Sequence, residues 1–363
     1  MPYSEQQKYW IWLSSVPGLS PKRFDELLSR FGPPQRVWEE LGPWLMPFVG
    51  RAVYDALQKA RNVSHFDRLF ETIQKTNITA VTREDDAYPS LLKNVADAPP
   101  TLYTRGSAAL NDAYPLAIVG ARNCTAYGTR IARRIARDFA SVGGTVVSGL
   151  ARGIDSAAHR GSLDAKARTV AVLGSGADVI YPPERQMLAE EILALGGSII
   201  SELPPGSKPM PHHFPLRNRT ISGMSAAVLL VEAAKQSGAM STVAHALEQG
   251  REVFAAPGQA DSPLSESTHA LIRDGARLVT SAKEIIEDMG WDFVPCMSGR
   301  SESTPKTTPI EHRLYALLSG GPAETDALME TMHLGAPEMN SLLTMMELQG
   351  IVRRLPGGRI ERA

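Results

Sequence analysis

Cysteine is scarce in this chain. It has only two, Cys124 and Cys296, and no CxxC pair. A fold built on disulfides and a zinc site built on cysteine are therefore disfavoured. Such low cysteine use is typical of proteins in a reducing compartment, so we expect a cytoplasmic location.

Net charge and long apolar runs are also lacking. The 38 Lys and Arg residues face 39 Asp and Glu residues, which gives a formal charge of −1. Binding to nucleic acid would therefore require a local basic surface. No apolar run approaches the ~20 residues of a membrane helix, and the segment MPYSEQQKYWIWL lacks the basic stretch and apolar core of a signal peptide. We expect neither a membrane span nor secretion.

Two nucleotide-binding motifs are missing. GxxxxGK[ST] does not occur, and the stretch VLGSGADVIYP lacks the third glycine of GxGxxG and opens no immediate helix. His212 and His213 are adjacent, but no matching set of Cys, His or Asp accompanies them. The sequence therefore predicts no P-loop, no nicotinamide cofactor or other cofactor, and no metal site.

The 363 residues suggest ~2–3 domains. Residues 1–75 have apolar side chains at helical spacing, and VPGLSPKRF is similar to a helix-hairpin-helix in which Ser20 replaces the second glycine. Residues 78–290 alternate short apolar strands with helices. Residues 294–309 are rich in Pro, Ser and Thr and predict a flexible linker. Residues 310–363 have the pattern of a winged helix, with three helices and a hairpin.

The alternation in the middle block predicts a doubly wound parallel sheet whose two faces are both covered. The predicted strands are PLAIVG, TVVSG, TVAVLG, SIISE, AVLLVEA, EVFAAPG and RLVTS, with ITAVTRED and TLYTRG as further edge strands. In open α/β sheets, ligands bind outside the carboxyl ends of the strands. Side chains and glycines that follow the strands are therefore candidate site residues.

Glycines and polar residues gather at those strand ends. The residues are Gly120, Arg122, Ser148, Gly149, Arg152, Gly153, Gly174, Gly176, Glu202 and Gly258. Glycine lets the backbone approach an anion closely, and the following helix adds unpaired N–H groups. One such glycine is usually only a turn, but the repetition predicts a surface that binds phosphate.

A second basic feature is the stretch from His212 to Gly223, HHFPLRNRTISG. Arg217 and Arg219 flank Asn218 in what the prolines and histidines predict to be a turn, just before a strongly apolar strand. Arginine forks suit phosphate oxygens, so an anion is expected there.

Several charged residues permit two interpretations. Asp155 and His159 share a helix face and are either an acid–base pair or a capping group with its neighbour. Glu202 is expected to pair with an arginine, Arg217 or Arg219. The run Arg130, Arg133, Arg134 and Arg137 is either a solvated helix face or a surface for a polyanion or partner.

The motifs SGLARGIDSAAH, AVLGSGADVIYPPE, ISELPPG, FPLRNRTISG, SGAMSTVAHALEQGREVFAAPG and LIRDGA, in this order, resemble the DNA-processing protein A family (DprA, also called Smf). The N-terminal helices, similar to SAM or helix-hairpin-helix domains, and the C-terminal winged helix also resemble the family's extensions. The resemblance implies an extended Rossmann-like core that binds single-stranded DNA, forms a homodimer and assists RecA loading during natural transformation.

By motif position, the resemblance implies DNA contacts at Arg122, Phe214, Arg217, Asn218, Arg219, Ser237 and Gly238. Phe214 would stack on a base, and the arginines would hold successive phosphates. The chain departs from the family pattern at Ser267 and His269, which replace the usual Gly and frequent Asn.

Two other functions stay open. A nucleotide or nucleoside-phosphate hydrolase on a related fold would use Glu202 with Arg122, although the PGGxGT run of such enzymes is missing. A regulator that acts only through its winged helix would not bind DNA with residues 78–290.

Overall fold

The computed structural model describes residues 3–293, 309–318, 323–348, 352–355 and 359–362. The chain divides into two compact units, Met1–Pro295 and Cys296–Ala363. The predicted linker over 294–309 lies outside the described residues, except that Pro309 begins a helix.

The first unit begins with six helices. They are α1 (Glu5–Ser14), α2 (Pro21–Phe31), α3 (Pro34–Glu39), α4 (Met46–Val49), α5 (Arg51–Ala60) and α6 (Val63–Lys75). Ser20, the residue that departs from the helix-hairpin-helix pattern, is the N-cap of α2 and accepts a hydrogen bond from the Arg23 backbone N–H. Trp12, Phe24 and Leu57 are buried in a core that these helices share.

These helices belong to the same compact unit as the sheet that follows. The Trp10 indole N–H donates to the Pro100 carbonyl oxygen at 2.8 Å, and Arg83 forms an ion pair with Asp25 of α2. The predicted boundary near residue 76 therefore marks a change of secondary structure within one unit, because these contacts hold the two parts together.

The sheet has nine strands. They are β1 (Thr79–Thr82), β2 (Thr101–Gly106), β3 (Pro115–Val119), β4 (Thr145–Ser148), β5 (Thr169–Val172), β6 (Ser198–Ser201), β7 (Ala227–Leu230), β8 (Glu252–Ala255) and β9 (Arg277–Leu278). Their spatial order is β1-β2-β6-β5-β4-β3-β7-β8-β9. Strands β3 to β9 pair in parallel, whereas β2 is antiparallel to β1 and β6. The predicted extended Rossmann-like sheet is confirmed.

Eight helices accompany the strands. They are α7 (Ser90–Lys93), α8 (Ala126–Ser141), α9 (Ile154–Asp164), α10 (Gln186–Ala194), α11 (His213–Gly223), α12 (Ala239–Glu248), α13 (Glu266–Arg273) and α14 (Ala282–Met289). Short 3-10 helices lie at Pro43–Leu45, Pro183–Arg185 and Pro263–Ser265. Among the described residues, none of the helices has the length and apolar character needed to cross a membrane.

Both faces of the sheet are covered, since successive side chains of a strand point to opposite faces. Leu116 and Ile118 of β3 lie in a buried cluster with residues of α8, α9 and α14. Ala117 and Val119 lie in a second cluster with residues of α7, α11 and α12. This layering explains why the strands are continuously apolar in sequence.

The sheet has a topological switch point at β3. This strand lies between β4 and β7, so the chain leaves β3 toward one side of the sheet and returns on the other. Crevices at such points, at the carboxyl ends of the strands, are where open α/β sheets bind ligands.

The structure corrects one local prediction. The stretch expected to be a turn forms helix α11. Pro215 is the third residue of this helix, within the first turn, where the missing N–H leaves no intrahelical hydrogen bond unmade. Proline there does not break the helix.

The second unit is a small α/β domain. Its elements are α15 (Pro309–Leu317), β10 (Ala323–Glu324), α16 (Thr325–Met332), α17 (Ala336–Leu348), β11 (Val352–Leu355) and β12 (Arg359–Arg362). The three strands form a sheet in the order β10-β12-β11. Leu314, Leu328, Met339 and Ile360 share its buried core. The arrangement confirms the predicted winged helix.

Candidate functional site

A cleft opens where the parallel strands end. The loops that follow β3, β4 and β5, residues 120–123, 149–152 and 174–175, form one side of it, and α11 forms the other. A cavity of about 310 Å³ is lined by Arg122, Arg152, Phe214 and Arg217, among others. It adjoins a groove of about 800 Å³ that shares three of these residues and continues past Asn218.

The three arginines of the cleft differ in their partners. Arg122 is exposed and forms no ion pair within the described part of the chain. Arg152 pairs with Glu184 at the surface. Arg217 is buried, and its Nη1 lies 3.9 Å from an Asp155 carboxylate oxygen and donates to the Val172 carbonyl oxygen at 3.3 Å.

Phe214 lies close to two of these cations. The Arg122 and Arg217 guanidinium carbons are 5.4 and 5.9 Å from the centre of its ring. The Tyr181 ring, whose centre is 5.9 Å away, adds a second aromatic surface. A side chain at Gly174 would begin 3.1 Å from Phe214 Cδ1, so glycine there lets the ring lie close to the loop after β5. Two cations and two aromatic rings suit an anionic ligand that carries flat groups.

Asp155 and His159 lie behind the cleft. Asp155 is in the first turn of α9 and accepts a hydrogen bond from the Ala151 backbone N–H at 3.3 Å. Burial raises its pKa, and the Arg217 guanidinium acts in the opposite direction. His159 is fully buried, and its Nδ1 lies 2.9 Å from the Thr169 hydroxyl oxygen. Burial and the Arg217 charge lower the pKa of His159 to about 3, so the imidazole is neutral.

Arg219 does not line the cleft. Its guanidinium is buried, with Nη2 at 2.7 Å from Glu202 Oε2 and Nη1 at 2.6 Å from Asp97 Oδ2. Burial raises the pKa of Glu202, and Arg219 opposes that rise. The expectation that Arg217 and Arg219 hold successive phosphates is therefore revised, because two carboxylates occupy the Arg219 guanidinium. The expected pair of Glu202 with an arginine is formed with Arg219.

Three other predicted residues shape the backbone around the cleft. The Ser148 hydroxyl donates to the Ile118 carbonyl oxygen at 2.7 Å and stays within the sheet. Gly153 has φ of 71°, which favours glycine, and lies against the backbone of the loop after β3. Gly176 lies close to Asp178 and to the Gly206 backbone N–H.

The groove contains the remaining predicted residues. Gly120, Asn218, Ser237 and Gly238 line it, and Gly149 lines the adjoining cavity. The Asn218 amide donates to the Ser241 hydroxyl oxygen at 2.7 Å, which joins α11 to α12. Helix α11 thus forms a wall of the cleft that Asn218, in the middle of the helix, ties to α12.

Sequence reasoning missed Glu232, which follows β7. Its Oε2 accepts a hydrogen bond from the Thr125 backbone N–H at 2.8 Å, and its Oε1 accepts one from the Thr125 hydroxyl at 2.6 Å. Its carbonyl oxygen also accepts from the Ala121 N–H. Glu232 therefore holds both ends of the loop that carries Arg122, at the N-terminus of α8, and Gly128 leaves room for the carboxylate.

The two departures from the family pattern make hydrogen bonds. The Ser267 hydroxyl donates to the Ala234 carbonyl oxygen at 3.0 Å. His269 Nε2 lies 3.2 Å from the Gly258 carbonyl oxygen. Both contacts connect α13 to loops at the strand ends, so these side chains support the local backbone.

Family models match most of the chain. Residues 79–290 match the model described as DNA recombination-mediator protein A, and residues 299–358 match the DprA winged helix domain. The chain is 38% identical over 298 residues to Protein Smf of Escherichia coli K12, which covers 80% of each protein. It is 39% identical over 223 residues to DNA processing protein DprA of Bacillus subtilis, covering 61% of this chain and 75% of that protein.

Solved structures show the same fold. DNA processing protein A from Streptococcus pneumoniae superimposes with a TM-score of 0.67 at 30% identity, covering 79% of this chain and 99% of that one. The protein from Helicobacter pylori, described with a unique single-stranded DNA binding mode, gives a TM-score of 0.54 at 28% identity, covering 60% and 99%.

Proposed function

The chain belongs to the DNA recombination-mediator protein A (DprA) family of DNA processing proteins, and we propose that it binds single-stranded DNA in the cleft at the ends of β3, β4 and β5. The binding would be without catalysis and would take place in the cytoplasm. Phosphates would contact Arg122 and Arg217, and a base would stack on Phe214.

One observation supports this proposal above the others. Arg122 is exposed and unpaired among the described residues, and its guanidinium carbon lies 5.4 Å from the centre of the Phe214 ring, which the guanidinium carbon of the buried Arg217 approaches to 5.9 Å. Arg217 Nε also has no hydrogen-bond partner in the described structure. Cations around a flat apolar ring fit a strand that alternates phosphates with bases.

The hydrolase alternative is less consistent with the geometry. It requires Glu202 to act together with Arg122, but Glu202 accepts from Arg219 and does not line the cleft. Asp155, a carboxylate that lines the groove, is engaged by Arg217 and a backbone N–H.

The wider role that we propose comes from family membership. The bound strand would be protected and passed to the RecA recombinase during natural transformation and homologous recombination, and the chain would act as a homodimer. The family's description as a recombination mediator supports this role. The hydrogen-bonded loops of the cleft supply the DNA-holding part of it.

The test is equilibrium binding of oligo-dT by the full chain over a series of salt concentrations. We expect tight binding. The logarithm of the association constant should fall linearly with the logarithm of the salt concentration, with a slope of about −0.7 for each phosphate neutralised. Nucleoside monophosphates, incubated in parallel, should release no free base. Base release, or no oligo-dT binding by the folded protein, would overturn the proposal.

A further inference from the structure

Helix α8 carries a face of four arginines that the cleft does not use. Arg130, Arg133, Arg134 and Arg137 are all exposed, whereas Ile131 and Phe139 on the opposite side pack into the core. Like charges three or four residues apart on a helix cost ~0.2–0.5 kcal/mol per pair. The packing of α8 does not require these four cations. Their clustering on one face of the helix therefore suggests a role in binding.

The four guanidinium groups are only partly neutralised. Arg133 pairs with Asp164 at 2.5 Å, and Arg137 pairs with Asp138 at 2.8 Å. Arg134 donates to the Thr280 carbonyl oxygen, which carries no formal charge. Arg130 has no ion pair or hydrogen bond within the described residues and lies over the Tyr127 ring. In a chain whose formal charge is −1, this face is a local basic surface.

The arginines line a groove of about 740 Å³, which we call the α8 groove. Its other lining residues are Ala126, Thr129 and Asp164. Ala126 is the first residue of α8 and directly follows the loop that carries Arg122. At 1.5 Å per residue, the helix extends about 16 Å from Ala126 to Arg137. The α8 groove therefore begins beside the cleft and leads away from it.

The lining of the α8 groove indicates a polyanion as its occupant. Protein interfaces are anchored by buried aromatic side chains together with arginine, whereas the groove is lined by exposed arginines with no aromatic or large apolar side chain among them. Guanidinium groups spaced along a helix offer forked donors to successive phosphate oxygens. Ala126 and Thr129, at the end of the groove nearest the N-terminus of α8, are small and leave space for a DNA strand.

We propose that the α8 groove binds the part of the single strand that leaves the cleft, through phosphate contacts with Arg130 and Arg134. The proposal rests on the proposed function, because the cleft supplies the strand. It extends the interface beyond the residues of the cleft, and it explains why the uncompensated charge of α8 lies where it does.

The test compares two lengths of oligo-dT. The short one, roughly 6 nucleotides, is at the lower end of the ~4–16 nucleotides that a single binding fold covers and is chosen to occupy the cleft alone, and the long one, roughly 20, exceeds that range. The variant combines Arg130→Ala with Arg134→Ala. It leaves both carboxylate-paired arginines intact, and alanine favours the helix. Arg51→Ala with Arg68→Ala, at exposed positions of α5 and α6, is the control with the same change in charge.

We expect the α8 variant to lose affinity for the long oligonucleotide, and its salt slope to fall by about 1.4, which is two phosphates at 0.7 each. Its affinity for the short oligonucleotide and its melting temperature should match those of the control. An unchanged slope, or an equal loss at both lengths, would overturn the inference. Binding of poly-glutamate, a model of an acidic protein, is measured in parallel. An α8 variant that lost affinity for poly-glutamate but not for the long oligonucleotide would assign the groove to an acidic protein instead. If the unmodified protein binds neither oligonucleotide, the proposed function fails, and this inference with it.

Discussion

Arg217 and Arg219, two positions apart in α11, direct their guanidinium groups to different places. Arg217 lies beside Asp155 and faces the cleft. Arg219 lies between Glu202 and Asp97 and ties α11 to the segment before β2. Residues two apart on an α-helix are separated by about 200° around its axis. One arginine is therefore available to a ligand, and the other positions the helix that carries it.

Replacing Arg122 tests the phosphate contact most cleanly. Because Arg122 is exposed and unpaired in the described structure, Arg122→Ala should leave the melting temperature unchanged. Oligo-dT affinity should fall, and the slope of log affinity against log salt should shrink by about 0.7. Arg51→Ala on α5 is the matched control. An Arg122→Ala protein with the full slope would contradict the assignment. Arg217→Ala is a poorer test, since it leaves Asp155 buried without its cation.

Replacing Phe214 separates stacking from charge. Phe214→Ala should weaken oligo-dT binding by about 1–3 kcal/mol, the value of one base stacked on an aromatic ring. The salt slope should not change, because no cation is removed. Phe214→Tyr keeps the ring and should bind nearly as well as the unmodified protein. If Phe214→Ala altered the slope as strongly as Arg122→Ala does, the ring would be acting through the neighbouring arginines instead.

Arg219 should matter for stability. Arg219→Ala leaves the buried Glu202 without its cation, which typically costs about 3–5 kcal/mol of unfolding free energy. The double replacement Arg219→Met with Glu202→Leu removes both charges and should restore most of that loss. Urea unfolding measures both variants, and oligo-dT binding by the folded double variant should stay within a few-fold of normal. A double variant as unstable as the single one would show that the ion pair is not the cause.

His159 should make the protein less stable in acid. Its pKa is lowered to about 3 in the folded state and is about 6.5 when unfolded. Between these values the unfolded chain binds the extra proton, so the unfolding free energy falls as pH drops below about 6.5, by at most about 1.4 kcal/mol per pH unit. Above about pH 6.5 this residue causes no such loss.

The measurement is urea unfolding of the unmodified protein and of His159→Gln at about pH 7, 6 and 5. The stability advantage of the unmodified protein should narrow as pH falls, because glutamine does not titrate. The raised pKa of Asp155 has the opposite effect on the pH dependence of stability. Because Asp155 is present in both proteins, its contribution cancels in the difference between their unfolding free energies. A difference that stays constant with pH would contradict the prediction.

The sequence predicts those parts of the site that depend on local pattern. Gly120, Gly149 and Gly174 follow apolar strands, and a parallel sheet brings such strand ends to one edge. The separate positions of Arg217 and Arg219 could not be found in this way. A turn would place both side chains together, and only the helix separates them. The prolines and histidines of this stretch led to the prediction of a turn, although proline is tolerated in the first turn of a helix such as α11.

Glu232 escaped prediction for a different reason. Its partner Thr125 is 107 residues away in the chain, and the two meet only because β3 and β7 are neighbours in the sheet. A single acidic residue after an apolar strand carries no local signal of such a contact. The same holds for Tyr181, whose place beside Phe214 depends on how the segment after β5 crosses the cleft.

The carboxylate of Glu232 affects how far the site is ordered before a ligand binds. The amide end of α8 attracts anions, and here the chain's own side chain already occupies that position. The loop bearing Arg122 is consequently held in shape before any strand arrives, and its conformational entropy is lost during folding, not on encounter. An incoming polynucleotide would meet a preformed surface, and an isolated phosphate would find the N-terminus of α8 already occupied by the Glu232 carboxylate.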